Sequence, residues 1–215
     1  MAAIGKAGRG AAAAVALAAI AGLAVQLVAS AALAGSIPAA IWAMLRFFTV
    51  LTNLLVAVAF AALAAGARWP ARPAVLGAAV LAIVLVGVVT ALLLRGLVEL
   101  SGGALVADFL LHTATPILVP LWWLAFAPKG GFAWRDPPRW ALLPLGYFAY
   151  ALLRGAGDGR YPYPFIDVAA LGWPQVLANA LAIAIGFLAA GAGLVALDRL
   201  LARRAAARTG PLSEG

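Results

Sequence analysis

Long apolar runs alternate along this chain with short clusters of helix breakers and charges. The breakers read "GSIPAA", "ARWPARP", "SGG", "PKGGFAWRDPPR" and "GDGRYPYPF". A helix needs about 20 apolar residues to cross the hydrocarbon core of a bilayer. Six runs predict spans, at about 11–33, 40–66, 74–94, 104–127, 140–154 and 175–200. The runs are continuous and lack the alternation of a lipid-exposed strand, which argues against a β-barrel. No internal repeat is evident. The expected fold class is therefore all-α: a single transmembrane domain over 1–215, a bundle of six helices, with 201–215 as a basic and then polar tail.

The fifth run is the short one. Fourteen residues lie between Arg139 and Arg154, about 21 Å of helix. Charge argues that it spans. With six spans and a cytoplasmic N-terminus, the inner ends hold eleven Lys and Arg residues and the outer loops hold only Arg95, Arg154 and Arg160. Removing the fifth span would carry the arginines of 199–208 outside, against the positive-inside bias. Both termini are therefore expected in the cytoplasm. Arg139 and Arg154 can lengthen the short span by reaching toward the interfaces. Lys6 and Arg9 before an apolar run, with Ala32-Leu33-Ala34 after it, imitate a signal peptide. The run exceeds the usual 7–15 residues, so an uncleaved first helix is expected.

Composition supports this class. The 215 residues are 66% hydrophobic and 10% charged, with a mean hydropathy of +1.07, against about 25% charged residues in soluble domains. The formal net charge of +8 would point to nucleic acid in a soluble protein. Here it sits wholly at the inner ends and reads as a topology signal with some attraction to anionic lipid. Membrane lipids, not nucleic acid, are the expected partners, and the cell inner (cytoplasmic) membrane is the expected location. The chain has no cysteine, so thiol chemistry and disulfides are excluded. One His and one Asp are too few ligands for a metal site. No phosphate loop or dinucleotide fingerprint is present, and no cofactor is implied.

Two spans hold costly polar groups. In the second, "LRFFTVLTNLL", Arg46, Thr49 and Asn53 follow i, i+3, i+7 spacing. In the fourth, "DFLLHTATPILVP", Asp108, His112 and Thr115 follow i, i+4, i+7. Each set occupies one helical face. Ionisable groups within a span usually face a bundle interior or a water cavity. Counting from the outer ends at 1.5 Å per residue, Thr49 lies about 14 Å deep and His112 about 12 Å deep. By the same count Arg46 and Asp108 lie about 9 and 6 Å deep. Thr49 is thus expected to meet His112, and Arg46 to pair with Asp108 one turn above. Stranding one partner of such a buried pair costs about 3–5 kcal/mol. Pro116 lacks an N–H, which predicts a kink and a free carbonyl at His112. The competing reading of each group is structural. A threonine in a span often bonds its own helix, and Thr52, Thr90, Gln26, Gln175 and Asn179 read as helix-to-helix ties.

Taken in order, "RFFT", "HTATPILVP", "GYFAY" and "YPYPF" resemble the bacterial branch of the androgen-induced hydrolase-like family of six-helix membrane proteins, over about residues 40–195. Animal members hydrolyse fatty acid esters of hydroxy fatty acids with a threonine nucleophile and a histidine. The resemblance places those roles on Thr49 and His112. The chain departs from the animal members at Asp108, where they carry a neutral polar residue. In the mechanism the resemblance implies, His112 is the base for the Thr49 hydroxyl, Asp108 orients the imidazole, and Arg46 and Asn53 are the candidate oxyanion or substrate-binding donors. The substrate class is a hydrophobic lipid ester or amide. The rival reading is a non-catalytic protein: a small transporter, proton relay or lipid-binding scaffold built on the same Asp, His and Arg.

Overall fold

Each breaker cluster ends a helix, and the helices between them are long and apolar. The computed structural model describes residues 4–208, with no strand among them. Helix α1 covers Lys6–Ala34 and stops at Gly35, whose φ of 75° is a left-handed cap that returns its N–H to the Ala31 carbonyl. Helix α2 (Ile37–Met44) starts at the Ser36 cap, and α3 covers Phe48–Ala64. Helix α4 (Pro73–Val89) passes into a π turn over Thr90–Leu94. Helix α5 (Gly102–Phe109) runs through a second π turn, Leu110–Ala114, into α6 (Thr115–Phe126). Short α7 (Asp136–Trp140) precedes α8 (Leu142–Asp158), and α9 (Val168–Arg208) closes the chain.

Four stretches are long and apolar enough to cross a membrane: Lys6–Ala34, Pro73–Leu94, Gly102–Phe126 and Val168–Ala207. The pair α2 and α3 makes a fifth if its two halves form one broken span. Helix α8 has 17 residues, about 25 Å. Leu17, Val28, Leu92, Leu153 and Leu181 are exposed, as expected of side chains that meet lipid.

The structure adds to one expectation from the sequence and corrects another. The basic tail expected from 201 is helical to Arg208 as the end of α9, because nothing in "LARRAAAR" breaks a helix; the remaining residues lie outside those described. More importantly, 40–66 is not one helix. The chain turns by 98° between α2 and α3, at Leu45–Phe47, although no glycine or proline stands there.

The physical reason lies in α8. The turn closes with short bonds from Arg46 N–H to the Ala43 carbonyl and from Phe47 N–H to the Met44 carbonyl. That leaves the carbonyls of Trp42, Leu45 and Arg46 without backbone donors. Three side chains of α8 supply them. Arg154 donates to Trp42, the Tyr150 hydroxyl to Leu45 at 3.1 Å and the Tyr147 hydroxyl to Arg46 at 2.9 Å. Residues 147, 150 and 154 share one helical face. Arg154 also lies over the Trp42 ring at 4.0 Å. In hydrocarbon an unpaired backbone carbonyl costs several kcal/mol, so the break exists only with α8 in place.

The core lies where α1, α3, α4 and α6 meet. Gly8, Ala12, Ala16, Ala19 and Gly22 form a buried small-residue face on α1, which lets helix backbones approach closely. Gly77 of α4 lies flat against Trp140; a Cβ there would fall 2.1 Å from the ring. At the opposite end from the break, Asp198 of α9 is buried and accepts the N–H groups of Gly130 and Phe132, each at 2.9 Å. The Lys129 ammonium caps the end of α6 through the Trp123 and Ala127 carbonyls. These bonds tie the 127–132 loop to α9.

Replacing Tyr150 by Phe strands the Leu45 carbonyl at little change in volume. Thermal unfolding in detergent should show a loss of about 1–3 kcal/mol. An unchanged melting temperature would mean that α8 does not hold the break.

Candidate functional site

The break decides where Thr49 stands. Instead of lying mid-helix, Thr49 is the second residue of α3, and its hydroxyl is 3.1 Å from His112 Nε2. His112 Nδ1 is 2.8 Å from Asp108 Oδ1. An ionised carboxylate only accepts, so Nδ1 carries the proton toward Asp108. In the neutral imidazole Nε2 is then bare and accepts from the Thr49 hydroxyl. Thr49 is 6% exposed, whereas the His112 and Asp108 side chains are 22% and 33% exposed. The Thr49 side chain is buried, and its partners reach toward the surface.

His112 lies within the π turn Leu110–Ala114, where the Thr115 N–H bonds the Leu110 carbonyl five residues back. In this register Pro116 fails to donate to Leu111, not to His112 as the α-helical count predicts. The Leu111 carbonyl is instead taken by Asn53 Nδ2 at 3.2 Å and Thr115 Oγ1 at 3.3 Å. Thr115 in turn donates to Asn53 Oδ1 at 2.7 Å. This fully buried cluster locks α3 to the turn that carries the imidazole.

The same bonds correct two expected roles. Asn53 is not an available oxyanion donor: its two amide hydrogens go to the carbonyls of Thr49 and Leu111. It is a positioning residue. Arg46 pairs with Asp158, through 2.9 and 2.6 Å bonds, and also donates to the Arg160 carbonyl; Asp108 bonds the His112 ring instead. The reversal of direction at Leu45 turns Arg46 toward the end of α8, so the depth count that matched it with Asp108 does not apply. Thr52, expected to tie helices together, is buried with no partner for its hydroxyl.

Tyr163 completes the surroundings. Its hydroxyl lies near the Thr49 hydroxyl, the backbone of Phe48 and Thr49, and the Tyr147 hydroxyl. The Phe48 and Thr49 N–H groups belong to the first turn of α3 and have no helical acceptor. Burial pushes the Tyr163 phenol up from its ordinary value, so it stays a neutral O–H. The ring stacks on Phe165 at 5.2 Å and meets Phe47 edge-on at 6.0 Å. Sequence reasoning found the "YPYPF" motif but no role for Tyr163, because the free N–H groups it lies near exist only where the span breaks. Among the described residues no group of three His, Asp or Glu side chains is placed to hold a metal.

Asn53→Leu removes both amide donors while roughly keeping volume, and leaves the Leu111 and Thr49 carbonyls short of donors. Unfolding in detergent should report a loss of about 1–3 kcal/mol, with any hydrolytic activity falling as the imidazole loses its register. A variant as stable as the parent would refute the positioning role. No protein-family model, curated protein or solved structure matches this chain.

Proposed function

We propose that the protein is an intramembrane hydrolase of lipid esters in a bacterial cytoplasmic membrane, with Thr49 as nucleophile, His112 as general base and Asp108 orienting the ring. The observation that carries this reading is the continuous chain from Thr49 Oγ1 to His112 Nε2 at 3.1 Å and from His112 Nδ1 to Asp108 Oδ1 at 2.8 Å. A hydroxyl becomes a useful nucleophile when a base within hydrogen-bond reach is itself oriented by a third group. The resemblance of "RFFT" and "HTATPILVP" to the androgen-induced hydrolase-like family supports the same roles for Thr49 and His112.

In this mechanism His112 Nε2 takes the Thr49 proton as Oγ1 attacks the ester carbonyl carbon. The carbonyl oxygen becomes an oxyanion. The donors proposed for it are the Phe48 and Thr49 N–H groups at the start of α3, with the Tyr163 hydroxyl near them. A helix N-terminus favours negative charge there. The intermediate collapses, the imidazolium protonates the departing alkoxide, and the acyl group remains on Thr49. Water then attacks the acyl ester as His112 takes its proton. The carboxylic acid leaves, and the proton on His112 restores the Thr49 hydroxyl. One ester and one water give one acid and one alcohol.

The proposed topology has six spans with both termini cytoplasmic, counting α2 with α3 as one broken span and α8 as a short one. Eleven basic residues at the inner ends against three in the outer loops support it. The site then lies in the outer half of the bilayer, where a substrate dissolved in lipid can reach it. Reporter fusions after Arg208 and within 159–163 should report opposite sides of the membrane. Reports from one side would remove α8 as a span.

Purified protein in detergent should release fatty acid from a long-chain ester. Thr49→Ala and His112→Ala should each remove this activity by about 1,000-fold or more, and the double variant should be no worse than either single one, as for groups that act as a unit. Thr52→Val, which replaces an unpartnered hydroxyl, should retain it. Activity surviving in Thr49→Ala would end the nucleophile assignment and leave Asp108 and His112 as a proton-handling pair.

A further inference from the structure

A chamber of about 820 Å³, counting its open mouth, lies between α3, α4, α8 and α9, and Thr49 and Tyr163 form part of its wall. No charged side chain lines it. The polar groups in its wall are Thr49, Thr90, Tyr147 and Tyr163, and the Tyr147 hydroxyl is already bonded to the Arg46 carbonyl. The chamber runs along the helices. On α9 it extends from Ala180 to Phe187, about 10 Å at 1.5 Å per residue. On α4 it extends from Leu85 to Leu94, about 14 Å by the same rise. Ala180 and Ala184 leave the α9 side open where larger residues would close it. Helix α8 makes little direct contact with α9, which packs instead on α7 and on the short turn Pro164–Ile166. The gap between α8 and α9 follows from that arrangement.

His112 is absent from this chamber. It lines a separate, more open crevice with Gly87, Arg95 and Pro116, and α4 contributes to the walls of both spaces. The two spaces give the ester a direction. The imidazolium must protonate the departing alkoxide, so the alcohol belongs on the His112 side of Thr49. The acyl carbon is attacked from Thr49, and its chain needs an uncharged, elongated space on the other side.

We infer that the chamber between α8 and α9 holds the acyl chain of the ester, a single unbranched hydrocarbon tail entering from the bilayer, and that the alcohol leaves through the crevice at His112. This inference rests on the hydrolase reading for its orientation, while the chamber's affinity for a hydrocarbon chain can be measured without turnover. Ala184→Phe places an aromatic ring midway along the chamber, and Ala180→Leu places a smaller obstruction nearer one end.

The test compares release of hexadecanoate and butanoate from otherwise identical esters by the wild type and both variants. The ratio of long-chain to short-chain turnover should fall at least about tenfold in Ala184→Phe, and less in Ala180→Leu. In parallel, a hexadecanoic acid bearing a terminal diazirine is photolysed with the Thr49→Ala protein, and the label is mapped by mass spectrometry. Label on 141–148 and 180–187 supports the chamber. An unchanged turnover ratio in the folded variants, or label confined to the residues around His112, overturns it. If the wild type hydrolyses neither ester while the label still maps to the chamber, the hydrolase reading fails and the chamber stands as a hydrocarbon-binding site. If Ala184→Phe does not fold, Ala180→Leu and the photolabel decide.

Discussion

The structure depends on how three carbonyls at the end of α2 are satisfied. A helix that stops inside a hydrophobic bundle exposes acceptors that water cannot reach, and the bilayer tolerates irregular backbone only where protein covers it. Here Tyr147, Tyr150 and Arg154, on one face of α8, meet the carbonyls of Arg46, Leu45 and Trp42. Once those are capped, the chain can turn by 98° and begin a new helix at Phe48. The consequence is chemical as well as architectural. The free N–H groups of a helix start are created beside Thr49, at a depth where an uninterrupted span would offer none.

A second irregularity stands opposite the first. The π turn Leu110–Ala114 widens the helix that carries His112, and Pro116 removes the donor that would have closed it. Asn53 and Thr115 take the resulting free carbonyl. Each departure from α-helical geometry therefore has a neighbouring helix that satisfies it: α8 for the break before α3, and α3 for the turn before α6. Local non-ideality is retained at a place where two side chains must meet at hydrogen-bond distance. Thr49 is buried there, while the His112 and Asp108 side chains are partly exposed.

Charge follows the same division. Lys129 and Asp198 secure the loop between α6 and α7 at one end of the helices. Arg46, Arg154 and Asp158 form the opposite cluster, at the end of α8 near the break. Neither cluster joins the Asp108–His112–Thr49 chain, which carries its own carboxylate.

The sequence by itself pointed to an all-helical chain with several membrane-length apolar helices, and to three residues that the fold brings together, Thr49, His112 and Asp108. Apolar runs of about 20 residues can only be helices in a bilayer, because hydrocarbon offers no other partner for their backbone. Polar residues within them were few enough that Thr49, Asp108 and His112 stood out, although the depth count that paired Thr49 with His112 assumed a continuous helix that the break at Leu45–Phe47 replaces. Tertiary structure decided the rest. No glycine or proline announces the break at Leu45–Phe47, because its cause is hydrogen bonding from α8, more than a hundred residues away in the chain. That break turned Arg46 to Asp158 instead of Asp108. It also committed Asn53 to holding two carbonyls and placed Tyr163 over the start of α3. Periodicity reports which residues share a face of one helix. Which helix supplies the missing donor to another is settled only when they pack.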